Sequence, residues 1–116
     1  MDIIVTVPKK ELKNLKKEDE FAEANDNEII QYWSVPKQPQ DINIGERVYF
    51  IEDGYIRYWH EFMGFEFDAV CEVTGRVCPG LNLILKYPET KLETPVVMKG
   101  FQGFHYDKEG VLRGGR

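Results

Sequence analysis

The chain has 116 residues, a hydrophobic fraction of 42% and a formal net charge of −5 at pH 7. That length suits one domain with a single hydrophobic core. A net acidic charge argues against a general nucleic-acid-binding surface, which is normally basic, but not against recognition of one nucleobase in a pocket. The longest apolar run is too short to span a bilayer, and residues 1–7 lack the basic start and apolar core of a signal peptide. We therefore predict a cytoplasmic protein with no membrane association.

The first elements in chain order are a strand and a helical segment. The β-branched residues 2–7, ended by Pro8, predict a buried strand. Residues 9–25 are rich in helix formers, with lysines first and carboxylates after them. One continuous helix would place these charges against its macrodipole, so we expect two short helices, over 9–15 and 18–25.

The next elements are a strand, a proline-containing loop and a hairpin. Residues 29–35 predict a strand, and Pro36 and Pro39 break the chain after it. Two alternating arms rich in aromatic and β-branched residues then flank Asp53-Gly54. This dipeptide supplies the positive φ values of a two-residue primed turn, so the sequence predicts a hairpin over 47–57 that turns there.

The rest of the chain predicts further strands. The expected ranges are an irregular strand extension over 58–67, strands over 69–77, 81–87 and 96–106, a polar connection over 88–95 and a flexible tail over 107–116. With helix confined mainly to the N-terminal part, the elements predict an α+β fold. We expect a small mixed β-barrel, closed or nearly closed, as a single domain over 1–106.

The sequence predicts neither a metal site nor a cofactor. Cys71 and Cys78 are the only cysteines, and His60 and His105 are not spaced from them as zinc ligands. If one extended strand carries the chain from Cys71 to Val77, the two cysteine α-carbons lie roughly 20 Å apart at ~3.3 Å per residue, beyond the reach of a disulfide. We therefore expect two separate, reduced thiols.

The order of elements and a set of short motifs resemble the PUA-like superfamily. The motifs are Gly-Glu-Arg-Val-Tyr-Phe at 45–50, Gly-Tyr-Ile-Arg at 54–57 and Cys-Glu-Val-Thr-Gly at 71–75. The superfamily includes the pseudouridine-synthase and archaeosine-transglycosylase domain, the activating-signal-cointegrator homology (ASCH) domain and the EVE/YTH domains. Tyr-Trp-Ser-Val at 32–35 also resembles the Tyr-Trp opening of EVE domains. The likeness covers residues 29–77 well and the rest in outline.

The resemblance implies a pseudobarrel that binds RNA, or a modified base or nucleotide, in a cleft. The ASCH pattern Gly-x-Lys-x-x-Glu-x-Arg, which carries a Lys and a Glu into the cleft of amidohydrolase members, is not found in this sequence. Residues 24–31 occupy its place without a Gly or a Lys. That departure argues against an amidohydrolase activity.

Seven residues are candidates for binding a flat ligand. Trp33 offers a ring on which a base can stack, although a core position is the plain alternative. In the run 57–60, a cation, two aromatic rings and an imidazole are adjacent, a combination that can bind a ligand. The alternative is that these side chains form a solvated polar rim of the barrel. Gln102, between two glycines, can read a base edge through both its donor and its acceptor. The candidate ligand-binding residues are Trp33, Ser34, Lys37, Arg57, Tyr58, His60 and Gln102.

Three functions remain open at this point. The first is a non-catalytic module that recognises RNA or a modified nucleobase or nucleotide, with a basic rim of Lys9, Lys10, Lys37 and Arg57. The second is an acidic interaction or inhibitor protein that occupies the nucleic-acid site of a protein partner. The third is an ASCH-type hydrolase of a modified nucleoside. His60 with the nearby carboxylates Glu61, Glu66 and Asp68 suits acid–base work, but no nucleophile pattern lies near them, so we predict no catalytic residue.

Overall fold

Six strands form one mixed sheet in the computed structural model, which describes residues 1–8, 30–70, 75, 77–108 and 110–113. The predicted helices over 9–25 lie outside the described residues. Within the described ranges, no helix has the length and hydropathy to cross a membrane. The elements are β1 (Ile3–Thr6), β2 (Ile30–Ser34), β3 (Arg47–Glu52), β4 (Tyr55–Val70), β5 (Val77–Val97), β6 (Phe104–Tyr106) and a 3-10 helix (Val111–Arg113).

The predicted hairpin between β3 and β4 is confirmed. Glu52 pairs with Tyr55, so Asp53 and Gly54 form a two-residue turn. Both turn residues have positive φ values, 52° for Asp53 and 82° for Gly54, as a primed turn requires. This turn type matches the right-handed twist of the flanking strands.

The longest hairpin joins β4 to β5 and corrects several predicted boundaries. Val70 pairs with Val77, so the chain reverses between them and the predicted strand over 69–77 is wrong. Gly75 shows why, because its φ of 70° belongs to a turn and not to a strand. β5 then continues through residues 88–95, where a polar connection was expected, and accommodates them by a register shift opposite Ile56 and Tyr58.

This reversal removes the geometric premise of the cysteine prediction. The estimate of 20 Å assumed one extended strand, whereas the chain turns back after Val70. Cys71 lies outside the described residues, and Cys78 is buried at the start of β5. The prediction of two separate thiols therefore stays a prediction.

The last predicted strand, over 96–106, is interrupted by a loop. β5 ends at Val97, residues 98–103 form the loop, and β6 begins at Phe104. A close approach and a backbone angle explain the break. A Cβ on Gly100 would lie 2.8 Å from Cγ2 of Thr6, and Gly103 has a φ of 74°. The chain leaves the sheet here because it passes close to the end of β1.

The sheet is mixed, but it does not close. Its strand order is β2-β5-β4-β3-β1-β6, with β1 and β3 parallel and every other pair antiparallel. In the described part of the chain, β2 and β6 are edges that do not pair, so the predicted closure of a barrel is wrong there. The proline-containing loop after β2 reaches β6 through a side chain instead. The Tyr106 hydroxyl accepts hydrogen bonds from the backbone amides of Gln40 and Asp41.

Two hydrophobic clusters stabilise the sheet. Because successive side chains of a strand point to opposite faces, neighbours in β1 and β3 belong to different clusters. The first cluster has the buried residues Ile3, Val5, Val7, Val35, Ile42, Val48, Phe50, Phe62, Leu83 and Leu85. The second has the buried residues Ile4, Tyr49, Ile51 and Ile56, with Trp59, Leu92, Val96, Met98, Phe101 and Leu112 packed against it.

The described residues of the predicted flexible tail contact the start of the chain. Asp107 donates its backbone amide to the Asp2 carbonyl and accepts from the amides of Val111 and Leu112. Arg113 donates to the buried Asp2 carboxylate at 2.7 Å. Burial raises the pKa of Asp2, but the bonds from Arg113 and the Arg47 amide outweigh it and leave this pKa below its ordinary value.

Candidate functional site

A cavity of about 440 Å³ opens where the ends of β1 and β2 meet the loop 98–103. Its volume lies within the range of small-molecule sites, roughly 300–1,000 Å³. The lining residues are Thr6, Pro8, Trp33, Ser34, Pro36, Phe101, Gln102 and Gly103. The sequence-predicted residues Trp33, Ser34 and Gln102 therefore lie at one cavity, although Gln102 is far from the other two along the chain.

Trp33 is held by the core and also reaches the cavity. Its backbone pairs with Leu83 on β5, and its ring meets the Phe50 ring edge-on, with centroids 4.9 Å apart and planes at 83°. The side chain is half-buried, so the ring is not enclosed. An aromatic ring fixed on one side and accessible on another is a suitable stacking surface, since its orientation costs no entropy when a ligand binds.

Ser34 lies beside Trp33 and is oriented by a buried amide. Its hydroxyl donates to Oδ1 of Asn82 at 2.9 Å, and Nδ2 of Asn82 donates to the Cys78 carbonyl at 2.8 Å. Asn82 is fully buried, so this chain of hydrogen bonds fixes the Ser34 side chain. With its proton committed to Asn82, the hydroxyl oxygen can still accept a hydrogen bond from a donor in the cavity.

Gln102 is carried by a loop that is tied to β1. The Phe101 amide donates to Oγ1 of Thr6 at 3.0 Å, and Gly100 packs against the same threonine. The Phe101 ring stacks on His105, with centroids 3.8 Å apart, and packs on the second hydrophobic cluster. The Gln102 side chain is exposed at the mouth of the cavity. Its amide is therefore available to a ligand.

Lys37 lies next to the cavity and not in it. A depression of about 350 Å³ adjoins the cavity and is lined by Pro36, Lys37, Gln102, Gly103 and Phe104. The two sites share Pro36, Gln102 and Gly103. Lys37 thus supplies a positive charge at the rim, within the same surface as Gln102.

The structure separates His60 and Tyr58 from the cavity. His60 is 3% exposed and lies between the rings of Phe50 and Tyr87, with Nδ1 at 2.9 Å from the Lys86 carbonyl. Burial lowers its pKa below the ordinary value, and the Lys86 carbonyl offsets this only in part. Tyr58 stacks on Phe50 and hydrogen-bonds Glu52. Both side chains contribute to packing.

Arg57 also lies away from the cavity. Its guanidinium lies 4.7 Å from the Tyr55 ring centroid and donates to the Glu52 carbonyl at 3.2 Å. These contacts place it at the β3–β4 turn. The basic rim expected from Lys9, Lys10, Lys37 and Arg57 is thus not assembled in the described residues, because Lys9 and Lys10 lie outside them and Arg57 is elsewhere.

The carboxylates near His60 in sequence do not meet it in space. Glu61 neighbours His60 on β4 and so points to the other face. Glu66 and Asp68 are exposed, and Asp68 accepts the Gly80 amide at 2.8 Å. In the part of the chain that the structure describes, no three His, Cys, Asp or Glu side chains form a possible metal-binding group.

Sequence reasoning missed five lining residues, which are Thr6, Pro8, Pro36, Phe101 and Gly103. Thr6, Pro8 and Pro36 come from the ends of β1 and β2, and nothing local marks them as neighbours. Gly103 gave a signal, because paired glycines indicate a close backbone approach. The available clue was therefore the spacing of Gly100 and Gly103, which marked the place where the last segment meets β1.

Comparison of the chain with models of known protein families, with curated proteins and with solved structures found no match. The likeness to the PUA-like superfamily stays a prediction that rests on the residue pattern of 29–77.

Proposed function

We propose that the protein is a non-catalytic binding module whose cavity takes a flat heterocycle, a nucleobase of RNA or a modified nucleobase or nucleotide. The PUA-like pseudobarrel remains the hypothesis for its fold family. In this proposal Trp33 stacks on the ring and Gln102 pairs with its polar edge. Ser34 accepts a hydrogen bond, and Lys37 meets a phosphate at the rim.

The single observation that carries the proposal is the meeting of Trp33 and Gln102 at one cavity. One supplies a flat apolar surface and the other both a donor and an acceptor, the combination that reads a nucleobase. The described lining offers hydroxyl and amide groups and no ionisable side chain, which favours binding over acid–base chemistry.

The test is a binding titration with modified nucleosides and short single-stranded RNAs. For the tightest ligand, Trp33→Ala is expected to weaken binding by about 1–3 kcal/mol, roughly 5- to 150-fold, because a stacking platform is lost. Gln102→Ala is expected to weaken ligands with a donor–acceptor edge more than ligands without one, because the exposed amide pairs with that edge.

Trp59→Phe is the matched control. Trp59 lies under the Arg47 guanidinium, 4.1 Å from it, packs on the second cluster and does not line the cavity. This variant is expected to bind as the parent does. Circular dichroism must first show that each variant is folded. Equal affinities for Trp33→Ala and the parent, or no binding at millimolar concentrations of any ligand, would contradict the proposal.

A further inference from the structure

Among the described residues, β6 pairs with β1 along one edge and with no strand along the other. Asp107 donates its amide to the Asp2 carbonyl at 2.9 Å, which fixes the direction of the backbone groups. Since these directions alternate along a strand, the amide and carbonyl of His105 point to β1, and those of Phe104 and Tyr106 point away from it. Among the described residues, no strand lies beyond β6 in the sheet.

A groove of about 740 Å³ adjoins this strand. All three residues of β6 line this groove. The other lining residues come from the proline-containing loop and from the segment after β6, and they are Lys37, Gln38, Gln40, Asp41 and Lys108. The two walls are joined, because the Tyr106 hydroxyl accepts the amides of Gln40 at 2.9 Å and Asp41 at 3.1 Å. The groove shares no lining residue with the cavity of Trp33, and it shares Lys37 and Phe104 with the depression that adjoins that cavity.

We propose that this groove binds an extended, acidic peptide segment, which adds to β6 as a further strand. An extended peptide presents donors and acceptors at the spacing that the outward groups of Phe104 and Tyr106 require. Lys37 and Lys108 are two exposed positive charges of the groove, against one carboxylate, Asp41. A glutamate or aspartate of the peptide complements that excess.

A peptide satisfies this site better than RNA or a second copy of the chain. RNA can offer phosphates to the lysines, but its backbone does not supply alternating amide donors and carbonyl acceptors to a strand edge. A second copy that paired edge to edge through β6 would set Lys37 and Lys108 against the same two lysines, so like charges would meet. The test described below includes one outcome that would indicate RNA and one that would indicate a second copy.

The test follows backbone amide signals of the ¹⁵N-labelled protein by NMR. The probe is an eight-residue peptide of alternating valine and threonine with one central glutamate. Binding is expected to shift the amide signals of Phe104 and Tyr106 and to slow their hydrogen exchange, because these amides gain acceptors. The His105 amide, already directed to β1, is expected to keep its exchange rate.

Two series of matched peptides isolate the backbone and the charge. N-methylation of the alternate peptide amides that face β6 is expected to abolish binding, whereas methylation of the other set leaves it. Replacing the central glutamate by glutamine, or Lys37 and Lys108 of the protein by glutamine, is expected to weaken binding at least about threefold. Lys91→Gln, on β5, is the charge-matched control and is expected to bind as the parent does.

Several outcomes would overturn the inference. These are no binding of any peptide at millimolar concentration, equal binding of both N-methylated sets, or shifts confined to residues outside β6 and the proline-containing loop. Tighter binding of an oligouridylate to the same amides would assign the groove to nucleic acid. Concentration-dependent shifts without peptide, matched by a dimer in sedimentation, would assign it to a second copy.

Discussion

The sequence suggested two sets of side chains as binding residues. The structure separates the members of one set and brings those of the other together. The run 57–60 is contiguous and chemically rich, yet its members are divided between the two faces of the sheet. Trp33 and Gln102 are far apart in the sequence, yet they line one cavity. Within the run 57–60, strand alternation disperses the functional groups, whereas the sheet topology brings the distant Trp33 and Gln102 together.

The reason is the twofold repeat of a strand. Tyr58 and His60 share the face of the first cluster, where both contact Phe50, whereas Trp59 packs on the second cluster. The cavity instead lies at the last residues of β1 and β2, next to the loop 98–103. There, side chains from β2 and from the loop 98–103 can converge without being enclosed by the core.

The largest expected effect comes from Phe50, which contacts members of both sets. Its ring is fully buried and meets Trp33, Tyr58 and His60. Phe50→Ala is expected to lower the free energy of unfolding by about 3–5 kcal/mol, since it leaves a cavity among aromatic rings. Urea unfolding measures the change. Phe67→Ala, whose side chain is 68% exposed, is the control and is expected to cost less than about 0.5 kcal/mol.

If Phe50→Ala and Phe67→Ala lowered the free energy of unfolding by similar amounts, the comparison would be wrong. The contacts of Tyr58 and His60 with Phe50 would then not contribute to core packing.

An intermediate effect is expected at Gly100, which sets the position of the loop that carries Gln102. Gly100→Ala places a Cβ 2.8 Å from Cγ2 of Thr6 and is expected to cost about 1–3 kcal/mol of stability and to weaken ligand binding. Thr6→Ser removes that methyl group and keeps the hydroxyl that accepts the Phe101 amide. The double variant is therefore expected to recover most of the loss.

A double-mutant cycle from thermal or urea unfolding gives this coupling. Strictly additive losses would mean that the contact between Gly100 and Thr6 does not hold the loop.

A smaller effect concerns the pH dependence of stability. Burial holds the pKa of His60 below its ordinary value, so the unfolded chain binds a proton more readily than the folded one. The unfolding free energy is therefore expected to fall as the pH drops below about 6.5 and to stop falling, for this group, below the folded pKa. His60→Gln should flatten that slope.

Unfolding measured between pH 7.5 and 5 makes the comparison. Should His60→Gln keep the full slope, His60 would not be the buried neutral ring that the packing indicates.

The smallest effect is expected at Arg57, the most conspicuous cation of the run 57–60. Its contacts with Tyr55 and the Glu52 carbonyl are exposed, so Arg57→Gln is expected to change stability by less than about 1 kcal/mol. It should leave the affinity of the cavity ligand unchanged. A clear loss of ligand affinity in Arg57→Gln, measured by calorimetry, would indicate that the ligand binds at the turn between β3 and β4 and not at the cavity.

The sequence predicted those parts of the fold that local chemistry determines. Asp53-Gly54 specified its turn through backbone conformation, and the β-branched runs specified β1 and β2. It failed at 69–77, since alternation cannot distinguish one strand from two arms of a hairpin. It also failed to show that the edges β2 and β6 stay apart in the described part of the chain, because closure depends on whether two distant edges meet.

For the candidate site, the residue types were informative and the neighbours were not. Trp33 and Gln102 were chosen for their chemistry, and the structure places them together. Arg57 was chosen for the same kind of reason and lies elsewhere. Thr6 gave no signal, because its role comes only from contact with Gly100 and Phe101.

The most direct measurement of the central claim uses the two tryptophans of the chain as site and control. Their indole N–H signals are assigned with Trp33→Phe and Trp59→Phe and followed by NMR during titration with the nucleoside and RNA panel. The account predicts that the Trp33 signal shifts with a saturable dependence on ligand, while the Trp59 signal under Arg47 stays in place. A shift of the Trp59 signal alone, or binding that leaves the Trp33 signal unmoved, would contradict it.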